Sequence, residues 1–77
     1  MKYEFDYSKL KGRIKEKFNS QSNFVKELNM SEQVFSKRIN NQVQFDSSEI
    51  KKMVALLEIN DDEISEYFFK EKVEKTQ

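Results

Sequence analysis

The chain contains no cysteine, no histidine, no proline and a single glycine, Gly12. Without cysteine there is neither a disulfide nor a thiolate metal site to brace a small fold. Without histidine as well, two of the side chains most used as nucleophile, base and zinc ligand are missing. No glycine-rich phosphate loop and no paired-acid motif takes their place. With so few chain breakers, tight turns are scarce and helices should dominate. Long apolar runs are also missing, and nothing approaches the roughly 18 residues needed to cross a bilayer. The opening Met1-Lys2-Tyr3-Glu4-Phe5-Asp6 alternates polar and aromatic residues, unlike a signal peptide. These absences lead to the expectation of a cytoplasmic protein that is not an enzyme, with no cofactor, no metal, no small-molecule substrate and no membrane.

The chain has 77 residues, seven of them phenylalanine. That length suits one domain, residues 1–77, near the lower limit for a self-sufficient hydrophobic core. The formal charge is zero, but it is unevenly distributed. Residues 1–45 hold nine Lys/Arg against five Asp/Glu, an excess of four positive charges. Residues 46–77 hold five against nine, the reverse excess. The front half suits a phosphate-bearing partner and the back half does not. A solvated surface of mixed charge is the plainer account of the same distribution.

Periodicity divides the chain into five helices. Asp6 is placed to cap the first, with Phe5 and Leu10 at the staple positions and Leu10, Ile14 and Phe18 on one face. The second runs from Gln21 to Leu28, with Phe24, Val25 and Leu28 apolar. Asn29 tolerates the left-handed conformation at a helix end, and Met30 is placed to plug the turn. Ser31 caps the third helix, which runs to Asn40, with Val34, Phe35 and Ile39 expected inward. Asp46 and Glu49 form a capping box for the fourth, whose buried stripe is Ile50, Met53, Val54 and Leu57. Asn60-Asp61-Asp62-Glu63 repeats the box before Ile64, Tyr67 and Phe68. The termini alternate: Lys2 to Phe5 and Phe69 to Val73 either pair as a short β-ribbon or fray.

Two short helices joined by a tight turn, residues 20–40, are the arrangement a DNA-reading unit requires. One helix spans the phosphate backbone while the other enters the major groove. On the outward face of the third helix, Gln33 suits a bidentate pair with adenine, Lys37 reaches guanine and Ser36 serves either.

This segment resembles the repressor and Cro family of phage helix-turn-helix proteins, whose pattern is Thr-Gln-x-x-Leu-Ala-x-x-Leu-Gly-Ile-Ser-x-x-x-Ile-Ser. Here it reads Ser20-Gln21-Ser22-Asn23-Phe24-Val25-Lys26-Glu27-Leu28-Asn29-Met30-Ser31-Glu32-Gln33-Val34-Phe35-Ser36. Val25 replaces a usual Ala and Asn29 a usual Gly. Tyr7-Ser8-Lys9-Leu10-Lys11-Gly12-Arg13-Ile14, Asp62-Glu63-Ile64 and Glu66-Tyr67-Phe68-Phe69 extend the likeness to small Cro-like regulators of temperate phages of Gram-positive bacteria.

The resemblance implies an all-α, five-helix, lambda-repressor-like domain acting in the bacterial host cytoplasm on the lysis–lysogeny switch. It implies that Gln21 contacts phosphate, that Glu32, Gln33, Ser36 and Lys37 face the bases, and that Asn40 and Asn41 contact the backbone. Glu32 accepts from cytosine in that role, yet it also repels phosphate, and it is equally a good first-turn residue. The implied partner is double-stranded operator DNA, bound as a homodimer or in complex with a phage repressor. The alternative is an antirepressor that binds the phage repressor through its acidic half or its third helix and alters the repressor's DNA binding.

Other features are less specific. Gly12 inside a helix suggests close approach of a ring or a partner, or a tolerated surface glycine. The Lys9, Lys11, Arg13, Lys15, Lys17 run reads as a solvated face. Asp61-Asp62-Glu63-Glu66 lacks a calcium-loop pattern and reads as an acidic helix start. Of Tyr67, Phe68 and Phe69, at least two should close the core.

Overall fold

The structure, a computed structural model, describes residues 4–72. Five α-helices form where periodicity places them: α1 Ser8–Phe18, α2 Gln21–Leu28, α3 Glu32–Ile39, α4 Ser47–Leu57 and α5 Ile64–Phe68. The expected all-α fold is therefore what forms. No helix of the described residues is long and apolar enough to cross a membrane.

Each helix start has a local cause. Ser20 accepts from the Asn23 N–H, Ser31 from the Val34 N–H and Asp46 from the Glu49 N–H, so orphan first-turn donors are satisfied. Glu49 answers by accepting the Asp46 N–H at 3.0 Å, which completes the expected capping box. Two starts differ from expectation. Helix α1 begins one residue later than a cap at Asp6 implies, because the Asp6 carboxylate accepts both the Ser8 N–H and the Ser8 hydroxyl in a local turn. The second acidic box does not form: Asn60 makes no side-chain cap, and Asp61–Glu63 wind as a single 3₁₀ turn leading into α5.

Turns are managed by asparagine. Asn19, Asn29, Asn41 and Glu58 all have positive φ, and none of these places is taken by the one glycine. Gly12 instead lies exposed in α1, with nothing within 4 Å of where a Cβ would sit. No ring approaches it, so of the two readings the surface glycine holds within this chain.

The buried residues come from every helix: Leu10 and Ile14, then Phe24, Val25 and Leu28, then Phe35 and Ile39, then Met53 and Leu57, then Tyr67 and Phe68. Ile50 and Val54 are only half buried at the edge of that cluster. Val34, expected inward, is 38% exposed, since Phe35 and Ile39 one turn apart already define the inward stripe of α3. The aromatic rings form a continuous chain. Phe18 meets Phe24 at 5.0 Å, Phe24 meets Phe35 at 6.0 Å, and Phe35 meets Phe45 at 5.7 Å. Phe45 also meets Tyr7 and Phe68 edge-on, at 5.5 and 6.0 Å. Tyr67 and Phe68 close the core, whereas Phe69 is 49% exposed.

The termini meet, but narrowly. One antiparallel bridge joins Phe5 to Glu71, with Asp6 N–H donating to the Lys70 carbonyl and Lys72 N–H to the Glu4 carbonyl. Phe5 and Phe69 stack edge-to-face across it at 5.9 Å. The remaining residues of the expected ribbon, Lys2, Tyr3 and Val73, lie outside the described residues.

Three stability outcomes follow, each read from thermal melts. Gly12→Ala should stabilise by up to about 1 kcal/mol, because the site is helical and open. Phe35→Ala should cost about 3–5 kcal/mol, most of the stability of a domain this size. Asn29→Gly should be neutral or mildly stabilising at φ 60°, and Asn29→Val clearly destabilising.

Candidate functional site

The candidate surface is built by α2, its turn and α3. Asn29 ends α2 in the left-handed region at φ 60° and ψ 42°. The Met30 N–H returns to the Val25 carbonyl at 3.2 Å, and Met30 packs half-buried against the core. Ser31 then restarts the chain in extended geometry. Phe24, Val25 and Leu28 face Phe35 and Ile39 in one core, with Val25 2% exposed where the resembling family has Ala. The turn chemistry read from Asn29, Met30 and Ser31 is thus the turn chemistry that forms.

The site residues expected from sequence divide into three groups. Glu32, Gln33, Lys37 and Asn40 are exposed on α3 and at its end. Gln21 and Ser36 are half buried, and the Ser36 hydroxyl accepts from the Asn40 amide at 3.4 Å. Asn41 stands apart. Its Oδ1 accepts the Phe5 N–H at 2.9 Å and its Nδ2 donates to the Phe5 carbonyl at 3.0 Å. Both ends of that amide are engaged by the N-terminal segment, so Asn41 has a structural role whatever it contacts on DNA. The cause is local: φ of 67° at Asn41 turns its side chain back towards the segment that bridges Glu71.

Glu32 is also committed. Its Oε2 accepts the Ser22 hydroxyl at 2.6 Å, which bridges the first turns of α2 and α3.

The electrostatics of the face are decided elsewhere in the fold. Arg38, in the last turn of α3, donates from Nε to Glu49 Oε1 at 2.9 Å, and both side chains are largely buried, at 19% and 16% exposed. That same oxygen accepts the Asp46 N–H, so the capping box of α4 anchors the arginine. The Asp46 carboxyl is held below the usual carboxylate range, first by the Glu49 N–H and then by the Ser48 hydroxyl.

Lys9 pairs with Glu66 at 3.1 Å and lies over the Tyr67 ring, and Lys17 pairs with Glu58 at 3.2 Å. The hydrogen bond raises the Lys9 pKa above its ordinary value and lowers that of Glu66. Arg13 donates to the Leu57 and Glu58 carbonyls at 2.9 and 3.2 Å, filling the exposed acceptors at the end of α4. Exposed pairs of this kind contribute little stability each. Their consequence is spatial: Lys9, Lys17 and Arg38 of the positive front half are each paired with a carboxylate of the negative back half. Arg38 was not among the residues singled out from sequence, and only its place in the last helical turn pointed to it.

The comparisons with known proteins agree with a small regulator. A family described as a protein of unknown function (DUF739) matches residues 3–71. The chain belongs to this family. It is similar to the modulator of repression (MOR) of the temperate bacteriophage TP901-1 from Lactococcus lactis, known as a solution structure. The identity is 42%, covering 84% of this chain and 88% of that one, with a TM-score of 0.76. No curated protein matches the chain. The likeness is thus to a small phage regulatory protein.

Two substitutions test the site's architecture. Asn41→Ala should destabilise by about 1–3 kcal/mol, through the lost Phe5 bonds and the strained backbone, and Asn41→Gly by less. Amide shifts in both should concentrate at residues 4–6 and 70–72. Asp46→Ala should lower the melting temperature near neutral pH. Because the folded pKa of Asp46 is depressed, its contribution is present above the ordinary carboxylate pKa and lost as pH falls through the folded value. The gap between variant and wild type should therefore narrow in acid.

Proposed function

We propose that this protein modulates a phage repressor: in the host cytoplasm it binds the repressor and alters its occupancy of operator DNA, as part of a lysis–lysogeny switch. One observation carries this reading. Lys9, Arg13, Lys17 and Arg38 of the front half are engaged by carboxylates and carbonyls of the back half, Lys11, Lys15 and Lys26 stay exposed on α1 and α2, and α3 presents Glu32 and Lys37 outward. DNA binding by so small a domain draws much of its affinity from phosphate neutralisation. A face with one carboxylate and one ammonium supplies little of it. Similarity to a modulator of repression points the same way.

A second reading, a Cro-like regulator that binds its operator directly as a dimer, is favoured by one feature. Gln33 and Lys37 are exposed four residues apart on one side of α3, the spacing at which neighbouring base pairs are read.

Titration against operator DNA, with and without the repressor of the same phage, at two salt concentrations separates the two. The modulator reading expects little or no shift by the chain alone, a stoichiometric complex with the repressor, and a changed repressor footprint. A steep salt slope for the chain alone, with a footprint over two half-sites about one helical turn apart, would overturn it.

A further inference from the structure

The Ser22–Glu32 contact lies where phosphate would have to approach. Ser22 is in the first turn of α2, beside Gln21, and Glu32 is the first residue of α3. In a helix-turn-helix docked on a duplex, hydroxyl and amide side chains at the start of the first helix donate to phosphate oxygens. Here the hydroxyl proton of Ser22, its only donor, is already given to Glu32 at 2.6 Å. The same hydrogen bond fixes a negative charge at that point, so the carboxylate cannot swing aside as a free surface glutamate would. Of the two cations on α3, Arg38 is turned away to Glu49, and Lys37 lies in the last turn, at the other end of the helix from Glu32.

We infer that Glu32, held by Ser22, is the specificity determinant that bars this helix-turn-helix from duplex DNA and leaves it to a protein partner. The inference rests on the modulator reading and sharpens it: the fold retains the geometry of a DNA-reading unit, and one tethered carboxylate excludes the ligand. Exclusion acts twice, through charge repulsion at the phosphate position and through removal of a donor that phosphate would use. Ser22→Ala removes the tether and leaves the charge, so it opens the face to DNA less than loss of the charge does. Glu27, on the opposite side of α2 in a groove with Glu16 and Lys17, carries the same charge and has no such role.

The test is fluorescence anisotropy of the full chain with a labelled random-sequence duplex, across a salt series. The set is wild type, Glu32→Gln, Glu32→Ala, Ser22→Ala and Glu27→Gln, with thermal melts to establish that each is folded. Neutralising one obstructing charge is equivalent to about one additional phosphate contact. Glu32→Gln and Glu32→Ala should therefore bind about three- to tenfold tighter at roughly 0.15 M salt, with log K against log salt steeper by about one. Glu27→Gln should stay within about twofold of wild type, and Ser22→Ala, which frees the carboxylate to move but keeps its charge, should gain less than either Glu32 variant. Folded Glu32 variants that gain nothing would overturn the role of Glu32, as would an equal gain in Glu27→Gln. Wild type that already binds the duplex with a steep salt slope would overturn it too. The modulator reading is scored separately, by titrating the wild-type chain with the repressor: a failed complex sinks that reading, and a complex alongside inert Glu32 variants sinks only the inference.

Discussion

The stacking of Phe45 on three other parts of the chain is the contact on which the rest of the structure depends. Its ring meets Tyr7 from the N-terminal segment, Phe35 from α3 and Phe68 from α5. A chain this short buries a smaller fraction of its surface than a larger domain does, so each core side chain has to contribute more. Large rings give more buried area per residue and add a geometric preference for edge-to-face contact. Phe45 sits in the connection between α3 and α4, so it locks the loop that fixes where the α3 face points. With no disulfide and no metal ligand of the usual kinds in the sequence, the aromatic chain from Phe18 to Phe69 is the brace of this fold.

The polar framework follows from the same arrangement. Once Phe45 places the start of α4 against α3, Glu49 closes the capping box with Asp46 and also receives Arg38. One carboxylate thereby satisfies a helix terminus and withdraws a cation from the surface that would face DNA. Arg13 does a similar service at the far end of α4, where Glu58 adopts a left-handed conformation with its carbonyl bound by the guanidinium. Stability and surface charge are therefore linked: the ion pairs that join the helices also neutralise Lys9, Lys17 and Arg38.

Most of the secondary structure was legible in the chain, because it rests on short-range chemistry. Ser20, Ser31 and Asp46 are caps whose partners lie three residues away, and Asn29 ends its helix by its own backbone preference. The misreadings have equally local causes. Asn60-Asp61-Asp62-Glu63 carries the letters of a box, and Asn60 is extended as a cap residue is, but a 3₁₀ turn follows it and its side chain makes no cap bond. Val34 is apolar on a helix whose inward stripe was already complete at Phe35 and Ile39, so it is left outside.

What the sequence by itself determined is the set of helices, the tight turn between the second and third, and the outward position of Glu32, Gln33 and Lys37. Periodicity and capping act within a few residues, and a few residues are what a linear reading sees. Tertiary structure decided which charges remain available. Lys9 and Glu66 are 57 positions apart, Lys17 and Glu58 are 41 apart, and Asn41 and Phe5 are 36 apart. Nothing along the chain announces those partners. A positive half and a negative half look like two surfaces with different tasks until the helices fold against each other and bring Lys9 to Glu66 and Lys17 to Glu58 at about 3 Å.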